Sequence, residues 1–278
     1  MRQDVMVLSA STGKVINDNI DHEGKLDDIQ WSPTGEQLAL LAGNDIHDVI
    51  AGRLMVVDAD GGKPQNIYPG FEGKFEQIDW TSANTIHFLA SESTQVGFGT
   101  IHPDGSGFSY ELEPGGPIYE SFSFADNSHI AFEAHTASHP NEVYYKVGAN
   151  ELRRITHVNP WLEDVQMGGQ SVVTYEARDG LEIEGLLIKP VGYNSGEAVP
   201  TIVRVHGGPE SHYSNGWLTS YSSPGQVAAG KGYAVFYPNY RGSTGRGIEF
   251  LKSSQRDAGG KEFDDIVDGV DYLIDEGI

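Results

Sequence analysis

The sequence predicts an all-β first part of the β-propeller type, followed by the opening part of an α/β domain. A motif of aromatic residue, turn and apolar strand recurs along residues 28–134, and Asp-Gly turns separate strand-like runs between its copies. Further on, two apolar β-branched runs each lead directly into a glycine-rich turn, which is typical of central strands in an α/β sheet.

The recurring motif sets the length of the repeated unit. Its aromatic anchors follow one another at intervals of 49 and 44 residues, at Trp31, Trp80 and Phe124. These intervals match the roughly 40–50 residues of a four-stranded propeller blade. We therefore expect a partial propeller of about three blades over residues 1–159, with residues 4–16 as the tail of an earlier unit.

A propeller usually closes with about 4–8 blades. An open arc of three blades would leave strand edges unpaired and part of its core exposed. We therefore expect the chain to be truncated at its N-terminus, unless several chains complete one ring; an oligomer is left open.

Residues 160–278 are expected to form the N-terminal part of the α/β domain. Val172–Ala177 and Leu181–Lys189 alternate apolar and polar residues around a three-residue turn, which predicts a hairpin. The apolar runs Thr201–Val205 and Ala234–Tyr237 are the predicted central strands.

Two helices are predicted near the end of the chain, a short one at Ile248–Gln255 and an amphipathic one at Phe263–Ile274. The predicted apolar face of the second helix consists of Phe263, Ile266, Val267, Val270, Leu273 and Ile274. Its other face carries Asp264, Asp265, Asp268, Asp271 and Asp275. We interpret this acidic row as a solvated face rather than a metal site.

The composition excludes several classes of function. With 18 Lys+Arg against 40 Asp+Glu, the net charge is −22, which disfavours nucleic acid and anionic membranes as partners. No apolar run approaches the ~18 residues of a membrane span, and the first residues do not resemble a secretory signal, so a cytoplasmic location is expected. The absence of cysteine excludes disulfides and a cysteine nucleophile.

Two histidines, His135 and His139, are four residues apart, a spacing that would suit a metal on a helix. Pro140 and the polar residues around it instead predict a loop between two strands. We expect no metal site and no cofactor.

The turn after the first central strand reads His206-Gly207-Gly208-Pro209. Because two of its residues lack a Cβ, its backbone N–H groups can face a substrate oxygen, as in an oxyanion hole. The alternative is a tight turn without a catalytic role.

This H-G-G-P turn, followed some thirty residues later by N-Y-R-G-S-T-G-R-G, resembles the prolyl oligopeptidase family of serine peptidases. The spelling is closer to its acylaminoacyl-peptidase and dipeptidyl-aminopeptidase branch. The resemblance implies a β-propeller followed by an α/β-hydrolase domain with a Ser-Asp-His triad, and a peptide substrate.

By this resemblance, the N–H of Gly207 or Gly208 would stabilise the oxyanion. The residues expected to support the site are His206, Pro209, Tyr240, Arg241 and Gly242. A purely structural alternative is open for Arg241 as a buried ion pair and for Gly242 as an unusual backbone angle. His206 is expected to organise the turn rather than to act as the triad base.

The sequence departs from the family pattern in one respect, because it contains no G-x-S-x-G nucleophile elbow. Ser243 is a poor substitute, since Arg241 stands where the elbow needs glycine. None of the triad is therefore expected within these residues.

The main hypothesis is a serine peptidase fragment, truncated at both ends and inactive alone, from an enzyme that hydrolyses short peptides by acyl transfer. One alternative is a non-catalytic protein-interaction propeller with a vestigial hydrolase segment. Another is a carboxylesterase-type hydrolase, because one fold serves both chemistries.

Overall fold

The computed structural model describes residues 3–126, 128–208 and 210–278. Its contacts divide the chain into two compact units. The first unit comprises Met1–Glu92 and Gly97–Pro114, and the second comprises Ser93–Val96 and Gly115–Ile278.

The first unit contains a hairpin and two four-stranded sheets, each with its strands antiparallel and in sequence order. The hairpin consists of β1 (Val5–Leu8) and β2 (Val15–Ile20). The first sheet consists of β3 (Leu26–Trp31), β4 (Gln37–Ala42), β5 (Arg53–Asp58) and β6 (Gln65–Asn66). The second sheet consists of β7 (Lys74–Ser82), β8 (Thr85–Glu92), β9 (Gln95–Ile101) and β10 (Ser109–Leu112). The strands predicted from the repeated motif are thereby confirmed.

The sheets of this unit pack face to face. Leu41, Leu54 and Val56 of the first sheet share a buried cluster with Trp80 and Phe88 of the second. The opposite face of the first sheet buries a separate cluster against the hairpin. The first sheet is thus covered on both faces, which explains why strands β4 and β5 are apolar along nearly their whole length.

The second unit begins with a third antiparallel sheet of the same kind. Its strands are β11 (Ile118–Asp126), β12 (His129–Thr136), β13 (His139–Val147) and β14 (Arg153–Arg154). A 3₁₀ helix, Pro160–Asp164, follows it. By contacts this sheet groups with the α/β part.

The loop predicted around His135 and His139 is wrong. His135 lies in β12 and His139 is the first residue of β13, and the two strands pair directly across a two-residue turn. Apolar residues alternate with polar ones before and after this turn, which favours strands. Pro140 does not prevent a strand, because it lies near the start of β13.

The α/β part is a four-stranded mixed sheet of β15 (Gln170–Glu176), β16 (Glu182–Ile188), β17 (Thr201–Val203) and β18 (Ala234–Asn239). The strands lie in the order β15-β16-β18-β17. Strands β17 and β18 are parallel, and the other pairs are antiparallel. The predicted hairpin and both predicted central strands are confirmed.

Three helices accompany this sheet: α1 (Gly225–Ala229), α2 (Gly247–Lys252) and α3 (Lys261–Asp275). Residues of α2 and α3 cover one face of the sheet, and residues of α1 cover the other. The helices predicted for α2 and α3 are confirmed, whereas α1 was not anticipated. Across the described ranges 3–126, 128–208 and 210–278, no helix has the length and apolarity that crossing a membrane requires.

The predicted faces of α3 are only partly right. Leu273 is buried as expected, but Phe263 and Ile274 are 60% and 63% exposed. Asp265, which was expected in solvent, is 0% exposed. The inward face instead runs through Asp265, Gly269 and Leu273, at intervals of four residues. A carboxylate can occupy this face because the buried guanidinium of Arg241 neutralises it.

Candidate active site

The candidate site lies where two neighbouring strands end. Strands β17 and β18 run parallel, with Val203 in register with Phe236, so their carboxyl ends meet at one edge of the sheet. The N–H of Arg204 extends the pairing by donating to the carbonyl of Phe236 (2.8 Å). The turns at residues 206–208 and 240–247 both leave this edge, where α/β sheets commonly bind ligands.

Tyr240 joins the two turns. Its hydroxyl donates a hydrogen bond to the backbone carbonyl of His206 (2.7 Å). Its ring stacks on the His206 imidazole, with centroids 4.5 Å apart and planes inclined by 17°. Burial raises the pKa of Tyr240, so the hydroxyl keeps the proton that it donates.

A second link runs through Ser243, which is 0% exposed. Its Oγ donates to the carbonyl of Tyr240 (2.6 Å) and lies 3.0 Å from Nε2 of His206. Nδ1 of the same ring lies 3.2 Å from the carbonyl oxygen of Gly207. Burial lowers the pKa of His206 to about 4, so the ring is neutral at neutral pH. Ser243 therefore positions the turn and is shielded from any substrate.

Gly207 and Gly208 form the exposed tip of the first turn. Within the described ranges, neither backbone N–H donates a hydrogen bond. Gly208 has φ +130°, and a Cβ there would lie 2.4 Å from the nitrogen of Glu210, so only glycine fits. A Cβ on Gly207 would meet nothing within 4 Å. Two exposed residues after the strand end thus have N–H groups without a hydrogen-bond acceptor in the described ranges, while Pro209 lies outside the described residues.

Arg241 is a structural residue, held by two carboxylates. Its guanidinium donates to Asp265 through Nε (2.9 Å) and Nη2 (2.6 Å), and to Asp179 through Nη1 (2.8 Å). Its backbone N–H also donates to Asp265 (2.9 Å). These hydrogen bonds raise the pKa of Arg241 and lower that of Asp179. Since Arg241 is 4% exposed and its nitrogens are engaged, it fixes the second turn to α3 and leaves no guanidinium edge for substrate.

Gly242 provides a backbone conformation that other residues avoid. Its φ is +90°, and its N–H donates to the carbonyl of Phe250 in α2 (3.0 Å). The second turn is therefore tied to α2 as well as to α3. This is the structural role considered for Gly242 in the sequence.

The segment that follows the first turn is anchored by Asn239 and His135, in roles that the sequence did not indicate. The side-chain amide of Asn239 accepts from the N–H of Tyr213 (2.8 Å) and donates to its carbonyl (2.9 Å). Nδ1 of His135 accepts the N–H of Trp217 (2.7 Å), and Nε2 of the same ring pairs with Glu120 (2.9 Å). The only available signal was the place of Asn239 at the end of a strand.

His135 and His139 do not converge. Nε2 of His139 lies 2.8 Å from the hydroxyl of Tyr144, so its partners are separate from those of His135. Among the residues that the structure describes, no group of three His, Asp or Glu side chains could hold a metal ion.

The fold and the candidate site together give a chain in which antiparallel β-sheet repeats precede an α/β part that carries a glycine-rich turn at a strand end. The profile of the Prolyl oligopeptidase family matches residues 219–278. The C-terminal part of this chain is therefore similar to this family, and the match covers less than a quarter of the 278 residues.

Two similar proteins are named as peptidases. An uncharacterized peptidase, YuxL of Bacillus subtilis, is 29% identical over 70% of this chain and 29% of its own length. Dipeptidyl aminopeptidase BIII of Pseudoxanthomonas mexicana is 33% identical over 52% of this chain and 22% of its own length. Each of these two alignments thus spans less than a third of the relative.

Among solved structures, the acylaminoacyl peptidase of Pyrococcus horikoshii matches 98% of this chain and 41% of its own length, with a TM-score of 0.76 at 22% identity. An acylaminoacyl peptidase in complex with Z-Gly-Gly-Phe-chloromethyl ketone matches 92% of this chain and 39% of its own length, with a TM-score of 0.74 at 24% identity. These matches show the fold.

Proposed function

We propose that this chain is part of a serine peptidase that hydrolyses short peptides by acyl transfer, and that the turn at Gly207 and Gly208 binds the oxyanion. The observation that carries the proposal is the pair of exposed, unpaired N–H groups at the carboxyl end of β17. Donors fixed in this way stabilise the negative charge that develops on a carbonyl oxygen during acyl transfer.

The remaining parts of the chain fit supporting roles. We propose that the three antiparallel sheets are blades of a propeller that restricts access to the site, with the domain boundary at residues 159 and 160. Tyr240, Ser243 and Arg241 would then hold the oxyanion-binding turn against the body of the α/β part. None of the site residues in the described ranges provides an exposed nucleophile with a hydrogen-bonded base, so the 278 residues alone are expected to be inactive.

The experiment compares two purified proteins: the 278-residue chain, and the product of the complete coding sequence that contains it. Both are incubated with peptidyl p-nitroanilides and with a fluorophosphonate that labels activated serines. We expect hydrolysis and labelling only with the complete product. Peptide mapping should place the label on a serine outside these 278 residues.

Two outcomes would contradict the proposal. Labelling of a serine within the 278 residues, such as Ser243, would show that the site has been misassigned. A complete product that neither hydrolyses peptides nor reacts with the fluorophosphonate would mean that the chain does not serve a serine peptidase.

A further inference from the structure

Tyr240 contacts the turn at one particular peptide group. Its hydroxyl binds the carbonyl oxygen of His206, and that carbonyl belongs to the same peptide as the N–H of Gly207. A trans peptide is planar, with its C=O and N–H directed to opposite sides. The hydroxyl therefore fixes the plane of this peptide and turns the Gly207 N–H away from Tyr240, toward the exposed side of the turn.

The same contact affects the strength of the donor. A carbonyl that accepts a hydrogen bond polarises its peptide, and hydrogen bonds in a chain strengthen one another. The arrangement O–H···O=C–N–H thus makes the Gly207 N–H a better donor to a developing negative charge. Gly208, one peptide further on, is held indirectly.

The environment suits a positioning role. Tyr240 is 5% exposed, and its ring is stacked on the imidazole of His206, so the hydroxyl has little freedom to leave the carbonyl. His206 is also held through its side chain by Ser243. The first residue of the turn is therefore held at both its side chain and its carbonyl, while the N–H groups of the two glycines after it donate no hydrogen bond within the described ranges.

We infer that Tyr240 is the positioning residue of the oxyanion-binding turn, acting through the His206–Gly207 peptide. This inference rests on the proposed function. Losing an oxyanion donor outright typically lowers turnover by about 10²–10³. Losing only the group that orients and polarises the donor should cost less, about tenfold in kcat.

The chain offers a matched pair of variants. Tyr240→Phe removes the hydroxyl but keeps the ring on His206. The control is Tyr213→Phe, because the Tyr213 ring also packs on His206, with centroids 5.2 Å apart, yet its hydroxyl donates no hydrogen bond to the turn in the described structure. A general loss of packing would affect both variants alike.

Two measurements are made. The first is steady-state kinetics on the complete gene product, where we expect Tyr240→Phe to lower kcat about tenfold with KM unchanged, and Tyr213→Phe to change neither. The second is the backbone amide NMR spectrum of the 278-residue chain, where we expect Tyr240→Phe to shift the Gly207 resonance and Tyr213→Phe to leave it in place. Neither variant should lower Tm by more than a few degrees.

The outcomes separate the inference from the proposed function. An active wild-type product whose kcat is unaffected by Tyr240→Phe would overturn the inference alone. A Gly207 amide that does not move in Tyr240→Phe would overturn it as well. If the wild-type product is inactive but Tyr240→Phe shifts the Gly207 amide resonance, the contact of Tyr240 with the turn is supported and the proposed peptidase function is refuted.

Discussion

The buried ion pair between Arg241 and Asp265 predicts a large and specific loss of stability. Their side chains are 5% and 0% exposed. Arg241→Met removes the two shortest charge-assisted hydrogen bonds to Asp265 (2.9 and 2.6 Å), while the backbone N–H contact remains. Removing one partner of a buried pair leaves an uncompensated charge and typically costs about 3–5 kcal/mol. We expect that loss in the free energy of unfolding.

The control is Arg178→Met, which removes a second arginine that binds the same helix. Arg178 also contacts two carboxylates of α3, Asp264 (2.9 Å) and Asp268 (2.7 Å), but its side chain is 53% exposed. Solvent screens such exposed pairs, so this variant should lose little stability. Urea unfolding followed by circular dichroism measures both. Adding Asp265→Asn to Arg241→Met removes the unpaired charge and should restore part of the stability. Equal losses for Arg241→Met and Arg178→Met would refute the reasoning.

Three further predictions follow from individual contacts. Burial lowers the pKa of His206 from 6.5 to about 4. Between pH 4 and pH 6.5, the unfolded chain therefore binds a proton at this residue that the folded chain does not bind. Stability should therefore fall as pH falls through this window. The free energy of unfolding, measured in urea at pH 7 and pH 4.5, should decrease by about 2 kcal/mol less in His206→Asn than in the unmodified chain. Gly269→Ala should destabilise α3 by about 1–3 kcal/mol despite the higher helix propensity of alanine, since its Cβ would lie 2.7 Å from the hydroxyl of Tyr175; an unchanged Tm would contradict this. Gly216→Ala should lower Tm because its Cβ would lie 2.2 Å from the ring of His135, whereas Gly169→Ala, which meets nothing within 4 Å, should not.

Regular patterns account for what the sequence predicted of the fold. The repeated aromatic anchors, the Asp-Gly turns and the two-residue periodicity located nearly every strand, because these signals depend on neighbouring residues alone. Helix α1 escaped notice because its five residues are too short for a periodic pattern. Asp265 was assigned to solvent because its position in the core depends on Arg241, 24 residues earlier in the chain.

The candidate site was predictable in its parts and not in its assembly. Both turns stand out in the sequence because glycines directly after an apolar strand favour a sharp turn with an exposed backbone. The hydrogen bond of Tyr240 to His206 joins residues 34 positions apart, and that of Asn239 to Tyr213 joins residues 26 apart. Such pairings of side chain with backbone are set by how β17 and β18 align, which no local pattern encodes.

The central claim is that the turn after β17 binds an oxyanion. Its most direct test is a crystal structure of the complete gene product after reaction with a peptidyl chloromethyl ketone. We expect the oxygen of the tetrahedral adduct to lie about 2.7–3.1 Å from the backbone nitrogen of Gly207 or Gly208. An adduct oxygen held by other donors, with both glycine nitrogens beyond hydrogen-bond distance, would contradict the account.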